Sequence, residues 1–203
     1  MNKKVIIIGA GGHAKVIADI VRSNNDVVAG FLDDSFTEEK EFYGSRIIGK
    51  SSDYINYSDD CSFIIAIGNN GVRERISGSF KCAWYTAIHS SAVVSSSAVI
   101  GEGTCVMANA VINADARIGA HVIINTASVV EHDCVIGDYS HIAPKSVVCG
   151  VTTVGKNVWL GAGSTVMHVL NICDNVMLGA GGVVVQNINE AGTYVGVPAK
   201  KIK

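Results

Sequence analysis

The chain has no long apolar run, no basic excess and no paired-cysteine spacing, and each absence removes a class of protein. The first apolar stretch, Val5 to Ile8, breaks at Gly9. It falls far short of the ~20 residues a membrane span needs, and is too short for a secretion signal. Sixteen basic residues stand against eighteen acidic ones with no basic patch, which argues against nucleic acid as a partner. Six cysteines occur without a CxxC motif and without an export signal, so a cytoplasmic protein with reduced thiols is expected. The 203 residues are enough for two small domains.

What is present is a period of six. An aliphatic residue occupies every sixth position from Ile88 to Val184, through Val94, Ile100, Val106, Ile112 and onward without a gap. Six is neither the 3.6 of a helix nor the 2.0 of a simple strand, and it marks a hexapeptide β-helix. The residue four places after each aliphatic is mostly small, as at Ala92, Ala110, Ser128, Cys134, Ser146 and Ser164, which suits a narrow core. Cys134 therefore points inward and is no nucleophile, although His132 lies nearby in sequence. The residue three places after is often Gly, Asn or Asp, as at Gly103, Asn109, Asp115 and Asp133. These residues enter left-handed backbone most readily, so they mark the corners. No hexad is interrupted, so no long loop is expected to leave the prism.

Residues 1–85 follow a different rhythm, leaving 86–203 to the β-helix. Val5–Ile8 reads as a buried strand, followed by Gly9-Ala-Gly-Gly-His13 and a helix over 14–23. A second strand over 27–32 ends at Asp33-Asp34, and a third over 63–67 ends at Gly68-Asn69-Asn70. This is the βαβ order of a parallel, Rossmann-like sheet. Gly9-x-Gly11-x-x-Ala14 fits the phosphate-turn fingerprint. A dinucleotide spans two such halves and only one is present, so NAD is set aside. A nucleotide sugar is expected instead, with its pyrophosphate near the helix N-terminus. The alternative is that the glycines serve only tight strand–helix packing.

The GAGGHAK loop, the Asp33-Asp34 pair, the hexapeptide prism and the closing Gly196-Val-Pro-Ala-Lys200 together resemble one group over essentially the whole chain. It is the bacterial sugar acetyltransferases of the hexapeptide-repeat superfamily. They include the UDP-4-amino-sugar N-acetyltransferases of the bacillosamine pathway and the sialic acid O-acetyltransferases. The resemblance implies a left-handed coil of three hexads, so that residues 18 apart stack. Five to six coils would rise about 25 Å at ~4.7 Å each. One outward face would then carry Val93, Val111, Val129, Val147, Thr165 and Val183. A second would carry Cys105, Ile123, His141, Trp159 and Met177, and a third Val99, Arg117, Val135, Thr153, Asn171 and Asn189. Two of these faces are apolar, which suits an interface, and the resemblance makes the assembly a homotrimer.

The same resemblance distributes the chemistry. Gly11, Gly12, His13, Asp33 and Asp34, with Gly68 at the third strand's end, would hold a UDP-linked 4-amino-4,6-dideoxy sugar. Acetyl-CoA would lie between subunits against His141, Ala162 and Ala180. His132 would be the general base, since histidine is the side chain suited to proton transfer near neutrality. Glu131 or Asp133 would orient it, with the family favouring the position after the histidine, where glutamate is more familiar than aspartate. Asn125 would hold the sugar amine, and Gly150, stacked on His132, would leave room for ligand. His13 could instead cap its helix, and Asp133 could be a mere corner residue. Within the enzyme reading, the same base would also serve O-acetylation of sialic acid or another sugar hydroxyl. A γ-carbonic-anhydrase-like metal hydratase would need His121, His132, His141 and His168 to converge, which their spacing opposes, so no metal is expected. A non-catalytic scaffold would leave the Glu131-His132-Asp133 corner without a purpose.

Overall fold

The computed structural model describes residues 2–203, which divide into two compact units, one ending at Ser90 and one beginning at Ser91. The sequence reading ends the first domain at residue 85. In the structure Tyr85 donates from its hydroxyl to Asp26 at 2.8 Å, and Asn24 Nδ2 donates to the Ile88 carbonyl at 3.1 Å. The linking segment is thus tied to the first unit through Ile88. Among the described residues no helix is long and apolar enough to cross a membrane.

The first unit contains β1 (Lys4–Ile8), α1 (Gly12–Ser23), β2 (Val27–Leu32), β3 (Lys40–Phe42), β4 (Ser45–Gly49), a 3-10 helix (Ser51–Tyr57), β5 (Ser62–Ile65) and α2 (Asn70–Ser79). The sheet order is β3-β4-β2-β1-β5. β1 lies between β2 and β5, parallel to both, and its apolar run is buried on both faces. α1 covers the sheet with Ala14, Ile17, Ala18, Ile20 and Val21, the inward stripe of a 3.6-residue period. It begins at Gly12, two residues ahead of the expected start, and β5 ends at Ile65 rather than residue 67. The β3–β4 hairpin has no counterpart in the sequence reading. Its two-residue turn, Tyr43-Gly44, has φ of 46° and 71°, as a type I′ turn requires.

The second unit is a three-sided parallel β-helix whose registers follow the 18-residue stacking. Val93, Val111, Val129, Val147, Thr165 and Val183 pair in one ladder. Cys105, Ile123, His141, Trp159 and Met177 form the second, and Val99, Arg117, Val135, Thr153 and Asn171 the third. Asn189 does not extend the third ladder. Beyond Val184 the offset shortens, with Ile172 bridging Ile188 and Leu178 pairing with Tyr194, and the hairpin Gly192–Val195 with Lys200–Lys201 closes the end. The second face is also less open than expected, because Cys105, Ile123 and His141 are buried within the chain.

The small inward column has a polar task. Ser140, Ser146 and Thr152 donate to the carbonyls of Gly155, Gly161 and Met167 at 2.8, 2.7 and 3.0 Å. Each buried hydroxyl thus satisfies a corner carbonyl one coil on. Cys134 occupies the same place, with Sγ 3.2 Å from the Cys149 carbonyl, and burial pushes its thiol above the usual range. That is a structural cysteine.

Candidate active site

The prism corner at residues 131–133 carries the clearest catalytic geometry. Asp133 adopts φ of 58° and His132 lies just before it, so the imidazole projects outward with 57% of its side chain exposed. His132 Nδ1 stands 2.8 Å from Asp133 Oδ2, so the shorter carboxylate does reach the ring. The carboxylate can only accept, so Nδ1 is the donor in this pair. Glu131 turns elsewhere, its Oε2 accepting from Asn113 Nδ2 at 2.8 Å. Gly150 lies beneath the ring: a Cβ there would sit 2.7 Å from His132 Nε2. The space above Gly150 is therefore taken by the imidazole itself, not left for a ligand.

Asn125 and His141 come together on another part of the prism. Asn125 Nδ2 lies 2.9 Å from His141 Nε2, so the amide the resemblance gives to a sugar amine is directed at a histidine. His141 is 6% exposed and packs against Trp159 with ring centroids 4.3 Å apart. Trp159, Gly161, Ala162, Met177, Leu178, Gly179 and Ala180 line an apolar cleft of about 360 Å³. Ala162 and Ala180 thus share a wall, while Trp159 and Met177 are contributions the sequence reading placed on a face without giving them a role. Among the described residues no three His, Cys, Asp or Glu side chains are placed to hold a metal ion, so His121, His132, His141 and His168 do not converge.

In the first unit the loop after β1 is built around Gly9. Its φ is 104°, and a Cβ would press against the Ala66 carbonyl at 3.1 Å. Gly11 and Gly12 are different: nothing lies within 4 Å of a Cβ at either, and the same holds for Gly68. Close packing against the segment just after β5 explains Gly9 but not these three, which leave bare backbone open to a close approach. Gly11 is the N-cap of α1, whose first amides have no side-chain cap. Asp33 ties the loop down, with Oδ2 accepting from Ala10 N at 2.8 Å and Oδ1 from Ser35 N at 3.0 Å. Desolvation pushes the Asp33 carboxyl upward, but the hydrogen bonds from Ser35 and Ala10 outweigh it and hold it below its usual range. Asp34 Oδ1 accepts from Ser51 N and Oγ at 3.0 and 2.5 Å. Both aspartates line a cavity of about 150 Å³ with Ile8, Gly9, Leu32, Ser51, Ile67 and Ile76. His13, Gly11, Gly12 and Gly68 lie outside that lining.

Arg73 escaped the sequence reading. It is 1% exposed, donates from Nη1 to the carbonyls of Ile67 and Gly68 at 3.0 and 2.8 Å, and from Nη2 to Asn70 Oδ1 at 2.9 Å. Burial, with the Arg73 charge adding to it, pushes the His13 imidazole down to about 4. His13 Nε2 is buried without a hydrogen-bond partner. Nothing in the sequence marks Arg73, since an arginine in a short polar helix reads as solvated surface.

Comparison with known proteins agrees with this geometry. Residues 4–80 match the family described as the PglD N-terminal domain, and residues 115–150 the bacterial transferase hexapeptide family. A UDP-N-acetylbacillosamine N-acetyltransferase of Bacillus subtilis is 42% identical over 114 residues, which are 52% of this chain and 51% of that enzyme. The chain thus spans about half the length of that curated relative. The acetyltransferase domain of PglB from Neisseria gonorrhoeae is 34% identical with a TM-score of 0.94, covering 99% of this chain and all of the other, and has also been solved with acetyl coenzyme A. PerB, the perosamine N-acetyltransferase of Caulobacter crescentus, was solved with CoA and GDP-perosamine. It is 37% identical with a TM-score of 0.93, over 98% of this chain and 97% of its own. A mononucleotide-type α/β unit followed by a left-handed hexapeptide β-helix is shared along nearly the full length, and the chain belongs to the hexapeptide-repeat sugar acetyltransferase family with a PglD-type N-terminal domain.

Proposed function

We propose that the chain transfers an acetyl group from acetyl-CoA to the amine of a UDP-linked 4-amino-4,6-dideoxy sugar, with His132 as general base. The observation that carries this reading is the exposed imidazole whose Nδ1 lies 2.8 Å from Asp133 Oδ2. The amine attacks the thioester carbonyl, a C–N bond forms, the C–S bond breaks, and the amine proton passes through His132 Nε2 to the departing thiolate. Asp133 holds the ring's orientation and stabilises its transient positive charge. The Bacillus relative and the Caulobacter neighbour, both named for nucleotide-linked or bacillosamine-type amino sugars, support an amine acceptor over a hydroxyl.

In this reading Gly11, Gly12, His13 and Gly68 border the pyrophosphate and sugar, and Asp33 and Asp34 border the nucleoside. Ala162, Ala180 and His141 border the pantetheine arm. The site is completed between subunits of a homotrimer, consistent with exposed Val93, Val99 and Met177 on outward faces. The test is thiol release from acetyl-CoA with UDP-4-amino sugars, GDP-perosamine, CMP-sialic acid and free sialic acid, alongside light scattering for the subunit count. Turnover with a UDP-amino sugar that collapses in His132→Ala is the expected result. Turnover with sialic acids alone would move the enzyme to O-acetylation.

A further inference from the structure

The contact between Asn125 and His141 has its proton positions set by the backbone. The Thr126 N–H can only donate, and it points at Asn125 Oδ1 across 2.7 Å. The side-chain amide is thereby oriented, and its Nδ2, which can only donate, faces His141 Nε2 at 2.9 Å. That ring nitrogen must accept, so the imidazole proton belongs on Nδ1, which is buried. Packing removes the freedom to turn away. His141 stacks in register between Ile123 and Trp159, with the Trp159 ring 4.3 Å away and tilted by 56°.

We propose that Asn125 is a positioning residue that locks His141 in the neutral Nδ1–H tautomer, making it a fixed uncharged support for Trp159, which lines the apolar cleft. Two histidines nine residues apart are thereby given opposite tasks. His132 has a carboxylate acceptor on Nδ1, while His141 has an amide donor on Nε2, which occupies the lone pair there. Protonating His141 would set an N–H against the Asn125 N–H, so proton transfer is left to His132. The cleft that Trp159 lines fits a neutral thioester or amide arm rather than a charged group, and this last step rests on the acetyl-transfer reading. Asn125 then acts on the thioester substrate through His141, not on the acceptor amine.

The deciding measurement is long-range ¹H–¹⁵N correlation of the full chain labelled at histidine, without substrates, with His141 assigned by loss of its signals in His141→Gln. Wild type is expected to show a protonated Nδ1 and an unprotonated Nε2. Asn125→Asp, whose carboxylate accepts, is expected to move the proton to Nε2. In turnover the same variant should raise KM for acetyl-CoA about tenfold while leaving the amino-sugar KM unchanged. A wild-type spectrum with the proton on Nε2 overturns the proposal, as does a rise confined to the amino-sugar KM. If Asn125→Asp does not fold, the wild-type spectrum decides alone. A protein with the expected tautomer but no acetyl transfer to any amino sugar would keep the lock and remove the functional reading.

Discussion

The two units place polar groups at the ends of short strands, but fix them by different means. In the first unit each loop has its own tether: Asp33 binds Ala10 and Ser35, Asp34 binds Ser51, and Arg73 binds the Ile67 and Gly68 carbonyls. These contacts occur once and share no spacing. In the prism the backbone is tethered by repetition. Val151 N donates to the His132 carbonyl, Val169 N to Gly150, and Asp133 N to Ala114 in the same pattern. A prism corner therefore keeps its shape almost whatever side chain it carries, and a reactive group can be hung there at little cost. In the first unit the groups facing the crevice also hold it together, so binding and stability are entangled.

Substitutions can test that contrast, and the largest effect is expected at His132. His132→Ala should lower kcat by about a hundred- to ten-thousandfold while the thermal midpoint stays unchanged, read by thiol release and calorimetry together. A matched loss of stability would show that this corner is as entangled as the loops of the first unit. Arg73→Met should do the reverse of His132→Ala. Removing the guanidinium orphans the Ile67 and Gly68 carbonyls and should cost about 3 kcal/mol, followed by denaturant unfolding through Trp84 in a Trp159→Phe background.

His13 gives a pH signature confined to the first unit. Its folded value of about 4 lies below its ordinary 6.5, chiefly through burial, so the folded state disfavours the proton that the unfolded chain accepts. The stability this contributes is fully present above pH 6.5 and is lost as pH falls towards 4. The loss should reach up to about 3 kcal/mol, and His13→Asn should flatten the curve between those limits. A curve equally steep in the variant would assign the acid sensitivity to other groups.

Two smaller effects sharpen the account of the prism. Gly150→Ala should push the His132 ring aside, because the new methyl would stand 2.7 Å from Nε2. The exposed ring can give way, so activity should fall about tenfold with stability intact. Val169 is a β-branched residue at φ of 59° and 62% exposed, a backbone conformation it would not choose. Val169→Asn should therefore raise stability by about 1 kcal/mol in thermal unfolding.

How much was legible differs between the units for the same reason that their tethers differ. The hexad column reads directly as core, and its small neighbours as the inward partners, because one geometric demand recurs at every coil. The corner column was legible only in part. Gly103, Asn109 and Asp115 advertise left-handed backbone, whereas His121, Ala127, Tyr139, Lys145, Val151 and Val169 adopt it without doing so. The repeat imposes the conformation and local preference gives way. In the first unit β1, α1 and β2 were readable from apolar runs and glycines. The β3–β4 hairpin and α2 were not, because β3 is short and exposed at the sheet edge and α2 has few apolar residues.

By itself the sequence determined the β-helix, the βαβ start and the place of His132 at a corner, since each is written as a spacing along the chain, while the 18-residue stacking through Val183 came from the family resemblance. Tertiary structure alone decided which carboxylate reaches His132, that Asn125 faces His141, that Arg73 is buried beneath the Gly68 loop, and that Gly150 makes room for an imidazole. These depend on side chains distant in sequence or turned by their neighbours, and on distances of a few tenths of an ångström. A pattern of residue types specifies which backbone repeats; hydrogen-bond direction and packing specify where each side chain on it comes to rest.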